Sequence, residues 1–168
     1  KYKNNKKWLS KKNSIIQNQA NFNIFNMTGK VKWQKDKKLS IITHHFSIDM
    51  HKGFNIYKAL DKLIYDNPDL KVEFIYIGNL PKDIKFKATK VYKPMFSEKL
   101  AKKLKESHVY ITGSYNEVGG MHWVEAIQCG LPLLYSKKSG GNISNEAPKY
   151  GINFDDGLLD SINNIKEK

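Results

Sequence analysis

The sequence predicts an α/β fold built on a doubly wound parallel sheet. From Leu39 onward, short apolar runs alternate with stretches of helical spacing. The apolar runs are continuous rather than alternating, as in strands covered on both faces. A glycine pair, Gly119-Gly120, sits at a strand-to-helix turn late in the chain. Strands that alternate with helices in this way pack as a sheet between two helical layers.

The elements follow in order. Residues 1–12 read as the end of a basic helix, Ser14–Asn18 as a short extended piece, and Asn21–Lys38 as polar, irregular chain. Leu39–Thr43 is the first strand, and Phe54–Tyr65 is a helix with apolar spacing at Ile56, Leu60, Leu63 and Ile64. Val72–Ile77 is the second strand, ending at Gly78-Asn79, and Ala88–Tyr92 is the third. Phe96–Lys105 reads as a helix with Ser97 as its N-cap. Val109–Thr112 is the fourth strand, Met121–Gln128 a helix closed by Gly130, and Leu131–Tyr135 the fifth strand. Tyr150–Phe154 and a helix over Leu158–Ile165 complete the chain, with Asp155-Asp156 as cap candidates. Residues 1–38 thus form a lead-in and residues 39–168 a Rossmann-like domain.

At 168 residues and 19.4 kDa the chain suits one domain with a single sizeable core. No apolar run approaches the roughly 18 residues of a membrane span. The sequence opens on Lys1 inside a basic stretch and reads as a piece of a longer protein. The one cysteine, Cys129, excludes an internal disulfide, suits a reducing, cytoplasmic setting, and is expected to pack in the core. The formal charge of +13 is uneven: residues 1–40 hold eleven lysines against one acid. Arginine, the usual reader of bases, is absent. With abundant Asn and Ile, the lysine excess resembles coding bias in an AT-rich genome, so no nucleic-acid partner is expected. Lys1, Lys3, Lys6, Lys7, Lys11 and Lys12 form either a solvated face or a peripheral contact with the inner face of a membrane.

The functional signal is a carboxylate pair, Glu117 and Glu125, flanking Gly119, Gly120 and the start of a helix at Met121. Carboxylates accept hydrogen bonds from sugar hydroxyls, and a helix N-terminus attracts phosphate. A nucleotide-sugar carries both groups. Doubly wound sheets bind ligands beyond the carboxyl ends of their strands, where strand order reverses. With the order 3-2-1-4-5, the loop from His44 to Gly53 faces the loop from Gly113 to Gly120. Lys52 then stands opposite Glu117, with His45 and Ser47 in the same loop. A metal cluster of His44, His45 and His51 is not expected, because adjacent histidines on a strand point to opposite faces. His122 either packs at the helix start or touches ligand, and Trp8 and Trp33 cover core or face another domain.

Four blocks in order resemble the C-terminal domain of retaining GT-B glycosyltransferases of family 4, also called group 1. They are Ser14–Asn26, Lys52-Gly53, the segment from Ser114 through Glu125, and Ala126–Pro132 with its A-x-x-C-G-x-P pattern. Gly140-Gly141 and residues 151–162 resemble the family's tail, so the likeness runs from about residue 14 to residue 166. The resemblance implies that Glu117 holds the transferred sugar and steadies its developing positive charge, while Glu125 binds the ribose diol. It implies that Gly119, Gly120 and Met121 offer backbone N–H groups, that Lys52 neutralises the leaving diphosphate, and that the loop with Lys93 and Pro94 borders the base. No metal or other cofactor is implied. The acceptor, a glycan, lipid-linked sugar or protein in surface polysaccharide synthesis, would bind a preceding domain, without which this chain should not turn over. The arginine that normally precedes the lysine is replaced here by the stretch with His45 and Ser47. A sugar-nucleotide epimerase of similar fold and a basic nucleic-acid-binding module are the competing readings.

Overall fold

A computed structural model of the chain describes residues 19–115, 117 and 119–167. The expected basic helix end and the extended piece at Ser14–Asn18 lie outside them. Six parallel strands form one sheet: β1 (Leu39–His45), β2 (Val72–Gly78), β3 (Lys90–Tyr92), β4 (Val109–Thr112), β5 (Leu133–Tyr135) and β6 (Gly151–Asn153). Their spatial order is β3-β2-β1-β4-β5-β6, which reverses between β1 and β4 as the sequence predicts. Five α-helices accompany them: α1 (Phe54–Asp66), α2 (Ser97–Glu106), α3 (Met121–Gln128), α4 (Gly141–Glu146) and α5 (Leu158–Glu167).

Alternation along β1 divides the core between the two faces. Ile41 packs with Phe54, Tyr57 and Leu60 of α1 and Ile162 of α5. Ile42, one residue on, packs with Leu100 and Leu104 of α2 and Trp123, Val124 and Ala126 of α3. Consecutive side chains of a strand point to opposite faces, so a run without polar breaks requires helices on both. Cys129 is fully buried in the second of these layers. Residues 19–38 are irregular, as expected, and run along the sheet. Ala20 N donates to Gln128 Oε1 at 2.9 Å, Val31 N to the Lys105 carbonyl at 2.9 Å, and Trp33 rests on the α1–α5 layer. No helix among the described residues is long and apolar enough to cross a membrane.

Several boundaries differ from expectation, each for a local reason. β1 continues through His44 and His45, which pair with Ile77 and Gly78 of β2. β5 starts at Leu133 because Pro132 has no N–H to give the ladder, although its carbonyl accepts from Tyr110 N. Ser97 is not the N-cap of α2; Phe96 holds that position without a side-chain bond, and Ser97 lies at φ 50°. Asp155 does not cap α5 but accepts from Lys137 N at 3.0 Å. The short α4 escapes sequence reading because its six residues are too few to show a period.

β3 begins at Lys90 rather than Ala88 because the preceding residues answer to Asp61. That buried carboxylate on α1 accepts from Lys87 N, Ala88 N and Thr89 N at 2.8–2.9 Å, and from Thr89 Oγ1 at 2.6 Å. An apolar replacement orphans three backbone donors together. Asp61→Ala should therefore cost about 3 kcal/mol or more in urea unfolding, with Asp61→Asn losing less. Equal losses for the two variants would show that the acceptor oxygens are not what matters.

Candidate functional site

The reversal point between β1 and β4 opens at the carboxyl ends of the strands, and two glycines bring its walls together. Gly53, at φ 86°, ends the turn after β1 and precedes α1. A Cβ there would lie 2.2 Å from the carbonyl carbon of Gly113, just past β4. Only glycine lets the helix start approach the next strand's end this closely. The flanking residues, Lys52 and the loop to Glu117, are carried into one crevice. Lys52 Nζ donates to Glu117 Oε2 at 2.8 Å, so the residues expected to face each other form an ion pair.

A cavity of about 340 Å³ lies over this pair, lined among others by His44, His45, Ser47, Met121, His122 and Glu125. Gly119 and Gly120 also border it, and no side chain caps the α3 N-terminus beside them. The first-turn N–H groups of a helix have no partner within the helix, so this wall is electropositive. Ser47 Oγ accepts from Asp49 N at 3.1 Å and shapes the loop as well as lining the cavity. Lys93 and Pro94 do not line it. They follow β3, which β2 and β1 separate from β4, and the link is made instead by Phe96, stacked on Phe46 at 4.6 Å between ring centroids.

Beneath the cavity lies a buried layer of histidines and tyrosines that the sequence does not announce. His44 Nε2 donates to Glu125 Oε2 at 2.9 Å, fixing the carboxylate that the loop pattern alone leaves free. His45 turns to the other face, where Tyr57 Oη lies 2.6 Å from its Nε2 while accepting from Gly113 N at 3.1 Å. Tyr110 Oη stands 3.1 Å from His122 Nδ1 and accepts from His44 N at 3.2 Å. The available signal was the His-His pair itself: two residues more of β1 put both rings at the strand's mouth. Burial, followed by the nearby His122, His44 and Lys52, lowers the His45 pKa well below its usual value. Burial also lowers that of His122. The His122 imidazole first, and the Lys52 ammonium after it, hold the Glu117 carboxyl down to about 2 against the opposing push of partial burial. His122 Nε2 is 3.7 Å from Glu117 Oε2, beyond a formed hydrogen bond, and acts on it through space. No group of three or more potential metal ligands occurs among the described residues.

The arrangement offers a cation, two oriented carboxylates and a helix N-terminus around one opening. Comparison with known proteins gives a family and a fold. The family model described as glycosyl transferases group 1 matches residues 26–165. Solved structures also match, among them a UDP-forming α,α-trehalose-phosphate synthase from Burkholderia xenovorans. It is 11% identical, with a TM-score of 0.52 over 79% of this chain. The chain spans 36% of the length of that protein, and at this identity the likeness speaks for the fold. No curated protein matches.

The buried layer sets the acid response. His45 and His122 take up protons less readily in the fold than in the unfolded chain, where uptake begins near the ordinary 6.5, so stability is complete above that value and falls below it. Glu117 contributes lower down: its share is present above 4.5 and is lost as pH falls toward about 2. Melting temperatures from pH 8 to pH 3 should decline through both windows, with Glu117→Gln flattening the lower. A constant melting temperature from pH 8 to pH 5 would remove the buried histidines from this account.

Proposed function

Because this chain belongs to the glycosyl transferases group 1 family, we propose that it is the donor-binding domain of a retaining glycosyltransferase, the C-terminal half of a GT-B fold. The observation that supports this best is the Lys52–Glu117 pair at the reversal point, with Glu125 and the α3 N-terminus on the same cavity. The ligand is a nucleoside-diphosphate sugar. Lys52 turns from Glu117 to the diphosphate and offsets the charge that grows as the bond from the sugar to its phosphate oxygen breaks. Glu117, ionised far below neutral pH, accepts from sugar hydroxyls and faces the positive charge developing on the ring. Glu125, oriented by His44, takes the ribose diol. Gly119, Gly120 and Met121 bring backbone N–H groups to the phosphates.

Lysine and helix N-terminus together supply the positive charge, so no metal is assigned to the step. The acceptor hydroxyl, from a glycan, a lipid-linked sugar or a protein, arrives on a partner domain and attacks from the face the diphosphate leaves. Surface polysaccharide synthesis in the cytoplasm, at the inner membrane face, is the setting this reading favours. The lysine-rich residues 1–12 are the proposed peripheral membrane contact, with a plainly solvated face as the alternative.

Thermal melting with a panel of UDP, GDP and ADP tests the donor site directly. A nucleotide at about 100 times its Kd contributes roughly 2.7 kcal/mol, which for a chain of this size raises the melting temperature by about 5–10 °C. Glu125→Ala should abolish the shift, and EDTA should leave it unchanged. Absence of a shift with every nucleoside diphosphate would overturn the assignment.

A further inference from the structure

His122 holds a polar atom that the fold has buried and left unused. The residue is 9% exposed and lines the cavity beside Glu117, yet its Nε2 is itself buried and has no hydrogen-bond partner. Its other nitrogen is not free: Nδ1 is 3.1 Å from Tyr110 Oη, the shortest of that hydroxyl's contacts. The tautomer follows from the surroundings. A lone pair on Nε2 would face the ionised Glu117 oxygen 3.7 Å away, whereas an N–H there is attracted to it. Tyr110 therefore donates its hydrogen bond to Nδ1, and Nε2 carries the imidazole hydrogen toward Glu117.

The backbone makes room for this donor. A Cβ at Gly120 would lie 2.8 Å from His122 Nε2 and 2.9 Å from Glu117 Cγ, so any side chain there would wedge apart the two groups that meet over the glycine. Neither the carboxylate-glycine spacing nor the Lys52 pairing calls for a histidine at this position.

We propose that His122 is a specificity residue for the sugar half of the donor. Its Nε2–H and the Glu117 carboxylate form an adjacent donor and acceptor that together read a pair of neighbouring sugar hydroxyls. One hydroxyl accepts from His122 while the other donates to Glu117. A buried donor without a partner is costly, so a ligand that supplies the missing acceptor is selected over one that does not. This assignment rests on the donor-site reading above and adds which group discriminates the sugar from its nucleotide alone.

The measurement is the ratio of two affinities on this chain: a nucleoside-diphosphate sugar against the same free nucleoside diphosphate, for whichever base the melting panel selects. His122→Leu should weaken the sugar nucleotide about tenfold while leaving the free diphosphate within about twofold. His122→Gln, whose amide nitrogen reaches the place of Nε2, should restore most of the difference. If both ligands weaken together in His122→Leu, or neither changes, the specificity role is overturned while the donor site stands. If no nucleotide binds the unsubstituted chain, the donor reading falls and this proposal with it. Long-range proton–nitrogen spectra give a second check that needs no ligand: the Nε2–H tautomer is expected, and an Nδ1–H tautomer would overturn the proposal.

Discussion

The close approach of Gly53 to Gly113 is the constraint on which the site depends. It joins the start of α1 to the end of β4 at the one place where the sheet's strand order reverses. Parallel sheets open a crevice there because the connections leave in opposite directions. In this chain the crevice is narrow because two backbones touch with no side chain between them. Lys52 and Glu117 come from segments 65 residues apart and still meet at hydrogen-bond distance. A wider gap would leave a solvated lysine and a solvated glutamate, each of little consequence.

The second requirement is the layer beneath. Tyr57 of α1 and Tyr110 of β4 lie on opposite faces of the sheet, and each hydroxyl serves both a histidine ring and a backbone N–H. The polar groups of the floor thus largely satisfy one another, which lets them be buried at all. His44 then carries this order up to Glu125. Glu125 above is positioned by a ring that does not reach the surface itself, so part of the geometry at the rim is inherited from the core.

Much of this was legible in the sequence. Continuous apolar strands gave away the two-sided sheet, and the strand order followed from the common topology of such folds. Glu117, Glu125, the glycines and Lys52 stood out because their residue types and spacing do not depend on exact boundaries. What was hidden did depend on them. Ending β1 at Thr43 leaves His44 and His45 as loop residues, whereas their pairing with Ile77 and Gly78 makes them strand residues with defined faces. His122 looked ambiguous because its value comes from Tyr110, twelve residues away in sequence and on another element. Asp61 sat inside an amphipathic helix, and nothing local says that its partners are the N–H groups of residues 87–89.

The Lys52–Glu117 ion pair also gives any solute entering the cavity something to displace. Each charge already has its counterpart, so a lone anion must compete with Glu117, and a neutral polyol must compete with Lys52. Either one separates the pair and leaves one member without compensation. A molecule that presents phosphate and hydroxyl groups together, at the right separation, replaces both halves at once. On the donor-site reading proposed above, the resting cleft acts as a conjunction gate: inorganic phosphate and free sugars each meet only half of its condition for entry.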